Sequence, residues 1–273
     1  MITFLFWNLR GNLLEEILKN LVERYDVDVV MLAEMDFAPD VLLSVLNRNQ
    51  VRYEYAANVG CKKIHIFVRF REEFLEIIRE TERLTIRHLK LPNRTSILLA
   101  AVHMVSKLHY SEHTQIIEAI KLAEEITKAE KDVDHTRTVL VGDLNMDPFD
   151  DGVVTTSGFH GVMSRDTAKR KSRVVQGTTY HFFYNPMWNL LGDRIGKPIG
   201  TYYYSNGEHI DYFWHIFDQV LIRPSLIDLF EVSNLEILTT DGKISFLTSN
   251  GLPDKQKVSD HLPIKFTLDL QQR

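Results

Sequence analysis

Five short apolar runs in this chain each finish in an ionisable or amide side chain. They are Asn8 in FLFWNLRGN, Glu34 in DVVMLAEMD, His103 in ILLAAVHM, Asp143 with Asn145 in TVLVGDLNMDPF, and Asp260 with His261 in VSDHLPIKF, where Ser259 precedes them. A buried element does not accept such groups cheaply, so their recurrence at the ends of β-like runs asks for a common reason. A sheet whose strands all finish this way gathers acids, amides and imidazoles at one rim. Converging carboxylates repel one another unless a cation lies between them. The set is rich in oxygen and holds no cysteine, which points to Mg²⁺ or Mn²⁺ and away from structural zinc.

The elements that must position these residues can be read in part. Residues 2–8 read as a buried strand. Asn12 and Glu15 fit a capping box ahead of Leu14, Ile17, Leu18, Leu21 and Val22 at helical spacing, so a helix is expected to about Arg24. Val27 to Ala33 is a second buried strand that delivers Glu34, and a short helix is expected from Pro39. Strands are expected near 52–57, 63–69, 84–90 and 95–102, while 71–80 is too charged and too short to assign. Ser111 opens a long amphipathic helix in which Ile116, Ile117, Ile120, Ala123 and Ile126 share one face; strand 137–142 then presents Asp143. Residues 150–200 lack a period and read as long loops over one rim, followed by strands at 201–205, 209–222, 230–238 and 261–268. The alternation argues for an α/β sandwich of two sheets with helices outside, in one domain over 1–273.

Composition sets outer limits. Hydrophobic residues make up 44% and charged residues 25% of 273 residues, which is ordinary for a soluble globular chain with a sizeable core. The formal charge of −5 means that any nucleic acid must be held by a local patch. Cys61 is the only cysteine, so no intrachain disulfide forms. The apolar start lacks a basic flank and is cut short by Asn8 and Arg10. It therefore reads as a strand and not as a signal peptide, and with no run long enough to span a bilayer a cytoplasmic protein is expected.

These residues, in this order from Asn8 to His261, resemble the endonuclease/exonuclease/phosphatase superfamily. It includes pancreatic-type deoxyribonucleases, abasic-site endonucleases, inositol polyphosphate 5-phosphatases and neutral sphingomyelinases. GDLN and SDHLP are the most specific pieces. The resemblance implies a four-layer α/β/β/α sandwich of two mixed β-sheets and dependence on Mg²⁺ or Mn²⁺. It implies Glu34 as principal metal ligand, with Asn8 and Asp260 near enough to help place the ion or its waters. Asp143 resembles the carboxylate that orients or deprotonates the attacking water, Asn145 steadies the phosphoryl group, and His103 and His261 contact the scissile phosphate. The proton acceptor is left open between Asp143 and His261.

In that family His261 needs a carboxylate partner. Asp218 in FDQVLIRPSL is chosen because the strand after it runs into the turn at Arg223, Pro224, Ser225 and Leu226; Asp211 in HIDYF is the reserve. The deoxyribonuclease branch supports its first histidine with a second glutamate, but GCKKIHIFVRF has no acid in the strand. The group that orients His103 is therefore unassigned.

Arg165, Lys169, Arg170, Lys171 and Arg173 form the only dense basic run. It reads either as a solvated loop or, lying between two catalytic segments, as a phosphate-backbone contact on the active rim. The aromatics from Phe182 to Trp188 read either as core or as a base-stacking or substrate-gating loop, and Tyr202 to Tyr204 as core. The favoured function is a metal-dependent phosphoesterase, a nuclease with DNA or RNA as substrate. The alternatives are a phosphomonoesterase or lipid-headgroup phosphodiesterase on the same scaffold, and a silent binding protein. The last is expected to have lost one of Glu34, Asp143, Asn145, Asp260 or His261, all of which are present.

Overall fold

The computed structural model describes residues 1–49, 52–193 and 197–271. The first half runs β1 (Ile2–Asn8), α1 (Glu15–Tyr25), β2 (Val29–Ala33), α2 (Pro39–Leu46), β3 (Glu54–Ala56), β4 (Ile64–Val68), β5 (Leu75–Glu80), β6 (Leu84–Leu89), β7 (Ile97–His103) and α3 (Glu112–Asp132). The second half holds β8 (Thr138–Asp143), α4 (Asp151–Val154), β9 (Gly161–Val162), α5 (Arg165–Ala168), β10 (Ser172–Val175), β11 (Thr178–His181) and β12 (Phe183–Tyr184). It closes with β13 (Tyr202–Tyr203), β14 (Trp214–His215), β15 (Asp218–Ile222), β16 (Glu236–Ile237) and β17 (Ile264–Leu268).

Two mixed sheets result, one of order β16-β17-β1-β2-β4-β3 and one of order β5-β6-β7-β8-β15-β12-β9. In β7, Leu99 and Ala101 join the core shared by both sheets, while Leu98, Ala100 and Val102 face a second core against α3. Val139 and Val141 alternate with Leu140 in the same way along β8. This period-2 alternation with both faces apolar is what a sheet sandwiched between another sheet and a helix requires. The four-layer arrangement expected from the sequence is the one observed.

At the centre of each sheet lies one parallel pair, and these pairs fix the functional rim. β1 runs parallel to β2 with Asn8 opposite Ala33, and β7 runs parallel to β8 with His103 opposite Asp143. Their C-terminal ends therefore deliver Asn8, Glu34, His103 and Asp143 to the same side of the sandwich. β15 is antiparallel to β8 with Asp218 opposite Asp143, so it is the start of β15 that reaches this rim.

Several local expectations differ from the structure. Asn12 does not cap α1, because its amide donates to the Val258 carbonyl at 2.7 Å; the position before Glu15 is Leu14, with no side-chain cap. The unassigned 71–80 stretch holds the edge strand β5, where charge is tolerated because one side faces solvent. Arg79 there pairs with Asp132 of α3 at 2.7 Å. The expected strand 209–222 splits into β14 and β15, and 230–238 keeps only β16 after a short 3₁₀ turn. Residues 150–193 are not open loops, since β9 and β12 extend the second sheet. Phe182, Phe183 and Tyr184 are buried, so they pack and do not gate substrate; Trp188 is half-buried.

Candidate active site

The backbone departs from regular geometry where the functional side chains begin. Glu34 and Asn145, each just past a strand end, take left-handed φ values of 48° and 50°. That conformation costs roughly 1 to 3 kcal/mol in a residue with a side chain and turns the chain sharply off its strand. Gly142 in GDLN has a different reason: a Cβ there would lie 1.9 Å from the Val102 carbonyl oxygen of the paired strand. Only glycine lets β8 run this close to β7 immediately before Asp143. At the far end of the chain, Ser259 Oγ donates to the Asn8 carbonyl at 2.8 Å and Trp7 Nε1 donates to the His261 carbonyl at 2.9 Å. These bonds bind the C-terminal tail to the end of β1 and set His261 over the rim.

Asn8 sits between two carboxylates. Its amide nitrogen donates to Asp143 Oδ2 at 3.0 Å and to Glu34 Oε1 at 3.2 Å, while its oxygen accepts from the Arg10 N–H at 3.0 Å. Asn8 is thus oriented as a bridging donor. His103 Nε2 lies 3.4 Å from Glu34 Oε1 and 3.6 Å from Asp143 Oδ2, and His261 Nε2 lies 3.9 Å from the same Asp143 oxygen. The other ring nitrogen of His261 is 2.8 Å from Asp218 Oδ2. Asp211 bonds instead to the Asn206 and Phe213 N–H groups of its own loop. Asp260 forms an ion pair with Arg10 at 3.2 Å. Asn145 donates its backbone N–H to Asp143 Oδ1 at 2.9 Å and its side-chain amide to the Met104 carbonyl at 3.2 Å.

The electrostatics separate the two imidazoles. Burial lowers the pKa of His103 despite the opposing charges of Asp143 and Glu34, so its neutral form is favoured. Among the described residues its Nδ1 has no partner, so no glutamate holds the ring from that nitrogen. His261 is buried too, but Asp218 and Asp143 outweigh desolvation and raise its pKa, favouring the imidazolium. Burial raises Asp218, opposed by His261.

These residues fit a hard divalent ion. Two carboxylates, Glu34 and Asp143, converge on one uncharged amide, and the Glu34 side chain is 41% exposed to the rim. Asp143, Asp218 and His261 also bring one donor atom each within 4.8 Å of one another. There, however, the 2.8 Å bond between His261 Nδ1 and Asp218 Oδ2 already occupies both atoms. The open oxygens belong to Glu34.

The dense basic run lies elsewhere. Arg165 donates to the Ile227 carbonyl at 2.9 Å, Lys169 pairs with Asp228 at 3.1 Å, and Arg173 donates to His160 Nε2 at 3.0 Å. Residues 227 and 228 follow the end of β15 opposite to Asp218, so the run sits at the base of the sheet and not on the active rim. Arg170 and Lys171 stand in the same segment. The reason is β12, whose pairing with β15 through Tyr184 and Ile222 anchors this region at the far end.

Other cations reach the rim singly. β4 opens opposite Ala33 and β6 opens opposite Val102, which brings Lys62, Lys63 and Arg83 to the side that holds the site. Lys107 follows β7, and Lys255 and Lys257 precede the tail. Sequence reasoning missed them because no two distant segments reveal a shared edge until the strands are paired. It also missed Tyr202, whose ring lies 4.7 Å from that of His261 and whose phenol is pushed up to about 12 by burial, then by Asp260 and Asp143.

No curated protein sequence matches the chain. Among solved structures, the 3′ phosphatase NExo from Neisseria bound to a product DNA hairpin is similar at 13% identity, covering 98% of this chain and 100% of the other, with a TM-score of 0.57. D. rerio TDP2 complexed with a single-strand DNA product is 16% identical over 98% of both chains, with a TM-score of 0.56. A family protein from Leptotrichia buccalis is 14% identical, covering 98% of this chain and 100% of the other, with a TM-score of 0.58. At such identities these likenesses show the fold. The sequence model of the endonuclease/exonuclease/phosphatase family matches residues 5–261, and on that match the chain belongs to this family of phosphoester-hydrolysing enzymes.

Proposed function

We propose that this enzyme hydrolyses phosphodiester bonds of nucleic acid, with Mg²⁺ or Mn²⁺ as cofactor. The observation that carries the reading is the rim itself. Separated cations, Lys62, Lys63, Arg83, Lys255 and Lys257, stand in the segments on the side that holds the reaction centre, and none has an ion-pair partner among the described residues. Such spacing suits a polyanion whose phosphates extend beyond the reacting one. Two structural neighbours were captured with DNA products, which supports the same substrate class.

Glu34 would hold the ion, with Asn8 fixing its carboxylate and that of Asp143, and with Asp260 placing the ion's waters. When bound, the ion offsets charge on the phosphate oxygens and on the leaving oxygen. The chain supplies the rest. Because the favoured form of His261 already carries its proton, Asp143 accepts the proton of the attacking water. The water oxygen bonds to phosphorus as the bond to the leaving oxygen breaks on the opposite side, in line. Asp218 holds His261 so that Nε2–H donates to a phosphoryl oxygen, and the neutral His103 and Asn145 fix the group from the other side.

The test is a substrate panel of single- and double-stranded DNA, RNA, abasic duplex and inositol phosphates, with Mg²⁺, Mn²⁺ and a chelator control. Cleavage of nucleic acid that stops with chelator supports the proposal. Turnover of inositol phosphates alone would replace it.

A further inference from the structure

A second histidine–carboxylate pair stands beside the catalytic one. His215 Nδ1 lies 2.7 Å from Asp147 Oδ2, and Asp147 is 2% exposed and anchored by the Ile216 N–H on its other oxygen at 2.8 Å. The Asp147 N–H in turn donates to Asp150 Oδ2 at 2.9 Å, and the same oxygen accepts from Lys107 Nζ at 2.6 Å. A continuous chain of hydrogen bonds therefore joins the His215 imidazole to the Lys107 ammonium. Both ends meet at one ring: the His215 imidazole stacks on Phe217 with centroids 4.6 Å apart, and Lys107 Nζ is 5.7 Å from the centre of Phe217.

Two features set this pair next to the scissile phosphate. Tyr202 pairs with His215 across the β13–β14 ladder and bridges to His261 on its other side. Residues directly opposite in a ladder project to the same face. The Tyr202 ring stacks on Phe217 at 5.3 Å and lies 4.7 Å from the His261 ring, so Tyr202 and Phe217 form one surface between the two imidazoles. Asp147 occupies Nδ1 of His215, and among the described residues Nε2 has no partner. A buried carboxylate on one ring nitrogen orients the other for an anion, which is how Asp218 serves His261.

We propose that His215 and Lys107 form a second phosphate-binding subsite, which takes the phosphate adjacent to the scissile one in the substrate strand. The proposal rests on the nucleic-acid reading above and deepens it. It makes the enzyme sensitive to the charge of a linkage it does not cut. Lys107 Nζ donates a charge-assisted hydrogen bond to that phosphate and His215 Nε2 faces it, while Asp147 and Asp150 hold the two side chains in place. His215 and Lys107 are binding residues and Asp147 is a positioning residue.

The experiment uses single-stranded DNA oligonucleotides in which one linkage at a time, on either side of the cleaved bond, is replaced by a neutral methylphosphonate. In the wild-type enzyme, neutralising one neighbouring linkage should lower kcat/KM roughly ten-fold, mainly through KM. In His215→Gln and Lys107→Met the parent oligonucleotide should lose about as much, and the methylphosphonate should then cost little further; Lys107→Arg should restore the sensitivity. Because each ratio is internal to one protein, a partly folded variant does not distort it. An undiminished ratio in both variants, or a wild-type enzyme indifferent to every neighbouring linkage, overturns the subsite. Failure to cut any oligonucleotide overturns the nuclease reading on which it depends, so the two failures are distinguishable.

Discussion

His261 Nδ1 and Asp218 Oδ2 lie 2.8 Å apart in a site where both side chains are almost wholly excluded from solvent. The carboxylate fixes which ring nitrogen faces the rim and keeps the imidazole protonated. Asp218→Asn preserves the shape but removes that charge. Turnover of a DNA substrate is expected to fall at least ~100-fold, the size associated with a lost acid or base, with the thermal unfolding curve little changed. A rate within a few-fold of wild type excludes Asp218 from this role.

The same pair sets a pH dependence. Asp218 and Asp143 raise the folded-state pKa of His261 above the ordinary imidazole value of about 6.5. The stabilisation this contributes is full below about pH 6.5 and is lost as pH rises through the folded-state value. In the proposed mechanism activity needs the imidazolium, so the alkaline limb of kcat/KM should lie above the ordinary imidazole range. In Asp218→Asn it should move to lower pH. A profile whose alkaline limb is unmoved by that substitution removes His261 as the source.

The basic run and the rim cations make opposite predictions. Lys169→Ala, Arg170→Ala and Lys171→Ala combined should leave kcat/KM on DNA within about two-fold, since they sit at the base of the sheet. Lys62→Ala, Lys63→Ala and Arg83→Ala combined should weaken binding. They should also flatten the dependence of log KM on log salt by roughly 0.7 to 0.9 for each phosphate that is no longer neutralised. Initial rates across a salt series decide between the two surfaces.

His160 should limit stability in acid. Arg173 Nε donates to His160 Nε2 at 3.0 Å, which requires that nitrogen to be unprotonated, and Nδ1 faces the His181 carbonyl at 3.2 Å. Burial, then the Arg173 charge, lowers its pKa to about 4. The unfolded chain binds this proton more readily, so stability should fall as pH drops from about 6.5 toward 4. In His160→Gln the slope of Tm against pH in that window should be shallower. An identical slope places the acid sensitivity elsewhere.

Much of this was legible in the sequence because it is written in local runs. Apolar stretches closed by Asn8, Glu34, His103 and Asp143 mark strands and their ends, and GDLN and SDHLP carry the family likeness. Asp218 over Asp211 followed from the turn after its strand. Legibility ended where pairing decides position. The charged edge strand β5 hides its pattern because only one side needs partners. Chain order left Arg165 to Arg173 open between a solvated loop and a rim contact, and β12 anchors them at the far end through β15. Asp147 and His215 are 68 residues apart, so nothing short-range announces their bond.

The central claim is that Glu34 holds a divalent ion required for phosphodiester hydrolysis. The most direct measurement is a Mg²⁺ titration of DNA cleavage by the wild-type enzyme and by Glu34→Gln, with chelator present at the start. The account predicts no cleavage before metal is added and a saturable rise with Mg²⁺ in the wild type. In Glu34→Gln it predicts slower turnover and half-saturation at a Mg²⁺ concentration at least roughly ten-fold higher. Cleavage that persists in chelator, or a metal dependence identical in the two proteins, would contradict it.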